Sequence, residues 1–311
     1  MDQRPIGVFD SGLGGLTAVR EIRNILPSEN IIYFGDTSRV PYGGRSSEIL
    51  HHYARQDVHF LRSFDIKAIL VACGTVSTTA LPTLQRENDL PVLGVVEPAC
   101  RRAAAKTRNK RVGLIATAAS VHSGAYERTL HGIDPEIQVI SRACPLFVPL
   151  VENGRFHRGD IVIETVAREY LEPLKGQDLD TLILGCTHYP LLQSKIEAFL
   201  KTTPNIVINH PHQPSTPQKR AGGGLISQGE IVACSLTDYL QRHPDIAQRA
   251  LEQKIQPTLT QSANHSIRTD SANHPSPYSL FLTTESATKF SESASLFLSE
   301  HIQANHIELL T

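Results

Sequence analysis

The feature that most constrains this chain is an apolar run that stops abruptly at a cysteine and that occurs twice. Residues 68–81 read AILVACGTVSTTAL, and residues 181–192 read TLILGCTHYPLL. In each stretch, apolar residues typical of a buried strand precede a cysteine and a threonine, and a helix-like segment follows. The sequence therefore predicts two buried strands that each end at a thiol.

The rest of the chain repeats the order strand, loop, helix. Further apolar segments with the length of strands lie at residues 6–9, 30–35, 91–96, 111–116, 137–140 and 205–209. Segments with helical spacing separate them, one of them near residues 123–131. Ser46 or Ser47 is expected to cap one such helix, and Pro98 to start another. This alternation predicts an α/β fold with two pseudo-symmetric lobes, each a mostly parallel sheet flanked by helices.

The lobes are expected to divide after residue 97. We predict a first lobe of residues 1–97 plus 209–311, to which the C-terminal segment returns, and a second lobe of residues 98–208. Two polar stretches, near residues 210–224 and 258–277, are rich in turn-forming or polar residues, and regular structure is not predicted for them.

Composition narrows the class of function. The chain has 311 residues, with 30 basic against 31 acidic side chains and no long basic stripe, which argues against a nucleic-acid surface. It has neither a secretory h-region at the N-terminus nor an apolar run of the roughly 20 residues that cross a bilayer. We therefore expect a cytoplasmic protein, not bound to membrane or nucleic acid, whose partner is a small molecule; a homodimer is left open.

The cysteines fit a reducing compartment. There are five, an odd number, and they lack the short paired spacings of a zinc site or a disulfide framework. Free thiols are therefore expected.

Three polar residues are predicted to meet at one edge of the fold. Asp10, Cys73 and Cys186 each follow a predicted strand, and ligands bind at the carboxyl ends of strands in open parallel sheets. The DSGLGG turn at residues 10–15 could offer backbone N–H groups to a carboxylate or phosphate. It has neither the spacing of a dinucleotide fingerprint nor that of a phosphate loop, and it is also compatible with a purely structural turn.

A lone cysteine at the end of a strand is usually a small buried hydrophobe, but two in matched contexts suggest chemistry. Opposed across a carbon atom, one thiol could remove a proton while the other returns it on the opposite face. His188 and Asp10 could each tune one thiol. The alternatives are that His188 only caps a helix, and that Thr75 and Thr187 are N-caps instead of carboxylate ligands.

Weaker candidates are kept open. Glu152 could supply a buried carboxylate, although a loop acid at a solvated edge is the alternative. His210 and His212 form an H-x-H pair without a third ligand nearby, which favours a loop over a metal site. With no signature for pyridoxal phosphate among the lysines, neither a metal nor a cofactor is predicted.

Four motifs in order, DSGLGG at Asp10, GDTSRVPYG ending at Gly43, ACGT at Cys73 and GCTHYP at Cys186, resemble those of glutamate racemases. The resemblance covers residues 6 to about 209 and resumes over 225–240 and the C-terminal strand and helix. It implies a cofactor-independent racemase with the active site between two α/β lobes, which supplies D-glutamate for peptidoglycan.

The resemblance also implies roles for individual residues. Cys73 and Cys186 would be the catalytic thiols, and Asp10 and His188 would assist them. Substrate contacts would come from Asp10, Ser11, Tyr42, Gly43, Gly74, Thr75, Thr187 and His188. The chain departs from the family at Gly74, where an asparagine is usual, so only backbone contacts would remain there.

Alternatives to glutamate racemisation follow from the same residues. One is racemisation of aspartate or a related amino acid. Another is a non-catalytic regulatory protein that binds an amino acid, suggested by Gly74 and by Gln228 in a turn where the family tends to have an acid. A cysteine hydrolase is a poorer alternative, because it leaves the second matched thiol unexplained.

Overall fold

A computed structural model describes residues 2–200, 224–243, 246, 278–298 and 300–309. The predicted strand at residues 205–209, the pair His210 and His212, and most of the two polar stretches lie outside the described residues.

Six of the described strands form a first sheet, in which every pairing is parallel. In spatial order they are β10 (Ala304–His306), β9 (Ser279–Thr283), β2 (Ile31–Gly35), β1 (Ile6–Asp10), β3 (Ala68–Val71) and β4 (Val92–Leu93). The C-terminal strands β9 and β10 thus join the sheet that the N-terminal strands begin.

The second sheet is also parallel throughout its four described strands. Their spatial order is β6 (Gln138–Ala143), β5 (Arg111–Ala116), β7 (Thr181–Leu184) and β8 (Gly224–Ser227). Strand β8 lies beyond the predicted lobe boundary at residue 208 but pairs with β7. The exact division of the chain into lobes stays a prediction, whereas the predicted α/β class with two parallel sheets is confirmed.

Helices flank both sheets. In chain order they are α1 (Leu16–Ile25), α2 (Ser47–Leu61), α3 (Gly74–Thr79), α4 (Leu81–Glu87), α5 (Val96–Lys106), α6 (Ala118–His122), α7 (Ala125–Ile133), α8 (Phe147–Glu152), α9 (Ile161–Leu171), α10 (Gln193–Leu200), α11 (Gln228–Arg242) and α12 (Ala287–Leu298). Ser46 caps α2, as predicted, by accepting a hydrogen bond from the Ile49 amide.

Two helix boundaries differ from the prediction for identifiable reasons. Helix α5 begins at Val96, two residues before Pro98. Proline is tolerated there because the first N–H groups of a helix have no intrahelical partners, so the missing N–H of proline removes no helical hydrogen bond. The helix predicted near residues 123–131 begins only after Gly124, whose φ of +62° separates α6 from α7. The left-handed conformation ends one helix and starts the next.

Side chains of the first sheet alternate between two cores. Val8 and Leu70 point into a core that continues through the second lobe, while Phe9, Ile69 and Val71 point into a separate core under α2. Because successive residues of a strand face opposite sides, this alternation buries both faces of the sheet. The first of these two cores extends through both lobes.

The first three strands of each sheet have the same spatial arrangement. From β1 the chain adds β2 on one side and then β3 on the other, and strands β5, β6 and β7 repeat this arrangement. Where the chain changes from adding strands on one side to adding them on the other, a crevice forms between the carboxyl ends of the two adjacent strands. Ligands bind in this crevice in open α/β sheets. The first crevice lies between Asp10 and Cys73, and the second lies between Thr117 and Cys186.

Candidate active site

Cys73 lies two residues beyond β3 and immediately precedes α3. It is only 4% exposed, and its thiol donates to the hydroxyl oxygen of Ser11 across 3.8 Å. Burial raises the pKa of the Cys73 thiol above its ordinary value, and the negative charge of Asp10 adds to the rise. This environment favours the neutral thiol.

Cys186 occupies the equivalent point of the second sheet, two residues beyond β7. It is 6% exposed, and its Sγ lies 3.6 Å from Nδ1 of His188. Burial and the negative charge of Asp10 are the main causes of the raised pKa of Cys73, and a negative charge on Cys186 raises it further. The two thiols that the sequence singled out therefore lie at equivalent strand ends of the two sheets.

His188 has a partner on each ring nitrogen. Nδ1 faces Cys186, and Nε2 lies 2.8 Å from a carboxylate oxygen of Glu152. Burial alone lowers the pKa of His188, but hydrogen bonds to Cys186 and Glu152 and their negative charges outweigh it, so the pKa lies well above its ordinary value. The capping alternative is wrong, because the side chain makes no capping hydrogen bond.

Glu152 is the last residue of α8, and its side chain is only 17% exposed. The alternative that it is a loop acid at a solvated edge is therefore wrong. Its carboxylate fixes one nitrogen of His188 and leaves the other directed at Cys186. Cys186, His188 and Glu152 form a hydrogen-bonded chain in the second lobe.

Asp10, the last residue of β1, is fully buried and links the two lobes. Its carboxylate accepts from the Gly12 amide at 3.1 Å and from the Thr187 hydroxyl at 3.3 Å. Burial raises the pKa of Asp10, although the positive charge of His188 and the N–H groups of Gly12 and Gly15 oppose the rise. Asp10 therefore lies between the environments of the two thiols.

Close approach explains two glycines of the DSGLGG turn. A Cβ on Gly14 would lie 2.5 Å from Nδ1 of His188, and one on Gly12 would lie 2.6 Å from Oε1 of Glu152. Real Cβ atoms do not approach their neighbours so closely, so a side chain at either position would displace His188 or Glu152. The turn thus packs directly against the His188 side of the site.

Thr75 and Thr187 make contacts across the joint between the lobes. The Thr75 hydroxyl lies 3.0 Å from that of Thr117, and the Thr187 hydroxyl donates to Asp10. Neither is an N-cap: Cys73 precedes α3 without a capping side chain, and His188 precedes the turn after β7. Gly74 is the buried first residue of α3.

Sequence reasoning missed Thr117 and Ser120. Thr117 directly follows β5, and its hydroxyl donates to that of Ser120 at 3.0 Å. Ser120 in turn accepts from the Thr78 hydroxyl of α3 at 3.3 Å. The signal that could have identified them is their position, because Thr117 ends the strand beside β7 at the second crevice.

Tyr42 and Gly43 lie on the loop between β2 and α2. The Gly43 carbonyl accepts from the Ala119 amide at 3.0 Å, and a Cβ on Gly43 would lie 2.8 Å from that of Thr117. The Tyr42 hydroxyl instead donates to Asp36 and also contacts Asp57. Gly43 therefore lies at the joint between the lobes, whereas the Tyr42 hydroxyl is engaged elsewhere.

The described residues also bear on metal binding and on membrane spanning. No group of three or more His, Cys, Asp or Glu side chains among them is arranged to hold a metal ion. None of the described helices has the length and hydropathy needed to span a membrane.

Curated relatives of this chain are named glutamate racemase. The protein from Geobacter metallireducens is 50% identical over 196 residues, which cover 63% of this chain and 72% of that protein. The protein from Neisseria meningitidis serogroup C is 48% identical over 195 residues, covering 62% and 72%. This agrees with the resemblance that the four motifs indicated.

Solved structures give the same result over nearly the whole chain. Glutamate racemase isoform RacE1 from Bacillus anthracis superposes with a TM-score of 0.81 at 33% identity, covering 99% of each chain. Glutamate racemase from Francisella tularensis, solved in complex with D-glutamate, has a TM-score of 0.77 at 32% identity and also covers 99% of each. The family model for Asp/Glu/Hydantoin racemases matches residues 19–209. The chain belongs to the Asp/Glu/Hydantoin racemase family.

Proposed function

We propose that this chain interconverts L-glutamate and D-glutamate by moving a proton at Cα between two thiols. The observation that carries the proposal is the pair of buried cysteines, Cys73 and Cys186, placed at matching strand ends of two lobes. One thiolate removes the Cα proton, and the opposite thiol delivers its own proton to the other face of the planar intermediate. No bond to the substrate carbon other than C–H breaks or forms.

The surrounding residues support this exchange. His188, held by Glu152, stabilises negative charge on Cys186, and Asp10 lies between the two thiol environments. We assign the substrate contacts to the DSGLGG turn at Ser11, to Gly43 and Gly74, and to the hydroxyls of Thr75 and Thr187. The main chain of Tyr42, instead of its hydroxyl, contributes to the same surface.

Thr117 extends the proposed set of contacts. Its hydroxyl meets that of Thr75 at the joint between the lobes, so the two present polar groups from opposite sides. Because both catalytic cysteines are almost fully buried, we propose that the lobes separate to admit glutamate and close around it.

The role in the cell is inferred from the family. We propose that the D-glutamate formed supplies peptidoglycan synthesis. The proposed compartment is the cytoplasm, because all five cysteines are free, as is usual in reducing compartments.

The direct test is to incubate the purified chain with L-glutamate and to separate the enantiomers by chiral chromatography. Accumulation of D-glutamate until the two enantiomers are equal is expected. Parallel incubation with L-aspartate and other L-amino acids tests the alternative substrates. Absence of D-glutamate at stoichiometric enzyme, combined with thermal stabilisation by glutamate, would instead support the non-catalytic alternative.

A further inference from the structure

A second buried cluster of ionisable groups lies apart from the thiols, beside residues 42–43, which we call the Gly43 segment. Asp36 follows β2, Arg39 and Tyr42 lie on the next loop, and Asp57 lies on α2. Both carboxyl groups are fully buried, and Tyr42 is only 2% exposed. One guanidinium therefore faces two carboxyl groups and a phenol where water is largely excluded.

The two carboxyl groups differ in their hydrogen-bond donors. Asp36 accepts from the Nε of Arg39, from the Tyr42 hydroxyl and, at 3.1 Å, from the Thr284 hydroxyl. Asp57 accepts at Oδ1 from Nη2 of Arg39 at 2.8 Å, and its Oδ2 lies 3.2 Å from the Tyr42 oxygen. Asp36 therefore accepts hydrogen bonds from three different side chains.

A phenol hydroxyl carries a single proton, and the shorter of its two contacts directs that proton to Asp36. If Asp57 were ionised, its Oδ2 would face a lone pair of the Tyr42 oxygen. A proton on Oδ2 turns this contact into a hydrogen bond and leaves one carboxylate for one guanidinium. Burial also raises the pKa of Asp57, and the negative charge of Asp36 raises it further.

This cluster is connected to the proposed active site through the backbone. Tyr42 directly precedes Gly43, whose carbonyl accepts from the Ala119 amide of the second lobe. At the other end, the Asp36 amide donates to the Asp10 carbonyl at 3.1 Å. A shift of the Tyr42 side chain would therefore displace Gly43 relative to Thr117.

We propose that Asp57 is held as a neutral acid that donates to the Tyr42 oxygen, while the ion pair of Asp36 and Arg39 anchors that tyrosine. In this arrangement Asp36, Arg39 and Asp57 are positioning residues that fix the Gly43 segment against the second lobe. The proton assignment is independent of turnover, whereas the positioning role rests on the proposed function.

The positioning role predicts opposite outcomes for two isosteric variants. In Asp57→Asn the amide replaces the neutral acid, donating to Tyr42 through its nitrogen and accepting from Arg39 through its oxygen, so kcat/KM for glutamate stays close to wild type. Asp36→Asn removes the carboxylate that accepts from both Arg39 and the Tyr42 hydroxyl, and the displaced Gly43 segment lowers kcat/KM by about 100-fold, mainly through KM. Asp57→Leu, which cannot accept from Arg39, is expected to resemble Asp36→Asn.

Infrared spectroscopy tests the proton assignment itself. The carbonyl stretch of a protonated carboxylic acid at neutral pH should be present in wild type and reduced in Asp57→Asn, in a difference spectrum that cancels other acids. Asp65→Asn, at a carboxylate whose side chain is 83% exposed, is the matched control and should leave the band unchanged.

An unchanged band in Asp57→Asn overturns the proton assignment, even if the chain proves to have no racemase activity. An equal loss of kcat/KM in folded Asp57→Asn and Asp36→Asn overturns the positioning model. If Asp36→Asn does not fold, comparison of Asp57→Asn with Asp57→Leu decides the same point, because only the leucine should raise KM.

Discussion

The two thiols stand at equivalent points of two similar sheets, yet their surroundings differ. Cys73 has a hydroxyl partner, Ser11, and the nearby charge of Asp10, and its pKa is raised, first by burial. Cys186 faces His188, whose own pKa is raised by Cys186 and by Glu152. The repeated fold therefore supplies matching positions, while the surroundings favour the protonated form of Cys73 and give Cys186 a cationic partner.

This difference has a mechanistic consequence. In a two-base racemase, the thiol that is ionised for one direction is protonated for the other, so each thiol must act both as a base and as an acid. The hydrogen-bonded chain of Cys186, His188 and Glu152 distinguishes the surroundings of Cys186 from those of Cys73, whose partner is Ser11. Variants that alter one side of the site at a time can therefore separate the two thiols.

The largest effect is expected from removing either thiol. Cys73→Ala and Cys186→Ala should each lower the rate of racemisation by about 10²–10⁴-fold, because each removes an acid or base from the proton transfer. The rate is measured by chiral chromatography in both directions. Cys234→Ala, which removes the exposed cysteine on α11, is the matched control; a similar loss there would show that the effect is not specific to the site.

The next largest effect is expected at His188. His188→Asn removes the cationic partner of Cys186 without emptying the position, and kcat should fall by about 100-fold. The hydrogen bond from Cys73 to Ser11 is expected to remain in this variant, because neither of its partners is changed. Wild-type kcat in His188→Asn would contradict the asymmetry described above.

A smaller effect with a distinct pH signature is expected at Glu152. Glu152→Gln removes a negative charge that raises the pKa of His188, so this pKa should fall. Activity that depends on the imidazolium is complete below the pKa of His188 and is lost as the pH rises through it. The alkaline limb of the kcat profile should therefore move to lower pH, with a loss of about tenfold at its former midpoint.

Glu172→Gln is the control for that experiment, since this carboxylate has a side chain 57% exposed and a partner outside the site. Its pH profile should match wild type. A Glu152→Gln profile that superposes on wild type would mean that Glu152 does not govern the protonation of His188.

The smallest effect is expected at Ser11. Its hydroxyl accepts a long, weak bond from Cys73, and such bonds contribute about 1 kcal/mol, so Ser11→Ala should slow racemisation by less than about tenfold. Steady-state kinetics in both directions measures this. A loss as large as that in His188→Asn would mean that the two thiols depend equally on their partners.

The sequence was sufficient for the parts of the fold and site that depend on local order. Apolar runs followed by turn residues located the strands, so the sequence alone placed Asp10, Cys73 and Cys186 at or just beyond the carboxyl ends of strands. Four ordered motifs then indicated the family, which the comparisons confirm.

Contacts between residues distant in sequence were harder to predict. Glu152 contacts His188 because α8 and the turn after β7 lie close together in the fold, and the sequence around either residue does not indicate this contact. The Tyr42 hydroxyl contacts Asp57 on a different element, so its motif alone did not show where it points. Strand β8 was missed because its four residues follow a polar stretch and gain their order by pairing with β7.

The central claim is that two different groups remove and return the proton at Cα. The most direct measurement is to incubate L-glutamate with the wild-type chain in D₂O and to stop the reaction at low conversion. The D-glutamate formed should then carry deuterium at Cα, while the recovered L-glutamate remains almost entirely unlabelled. Protium at Cα of the newly formed D-glutamate, or equal labelling of the recovered L-glutamate, would mean that one shared group handles both faces, and would contradict the account.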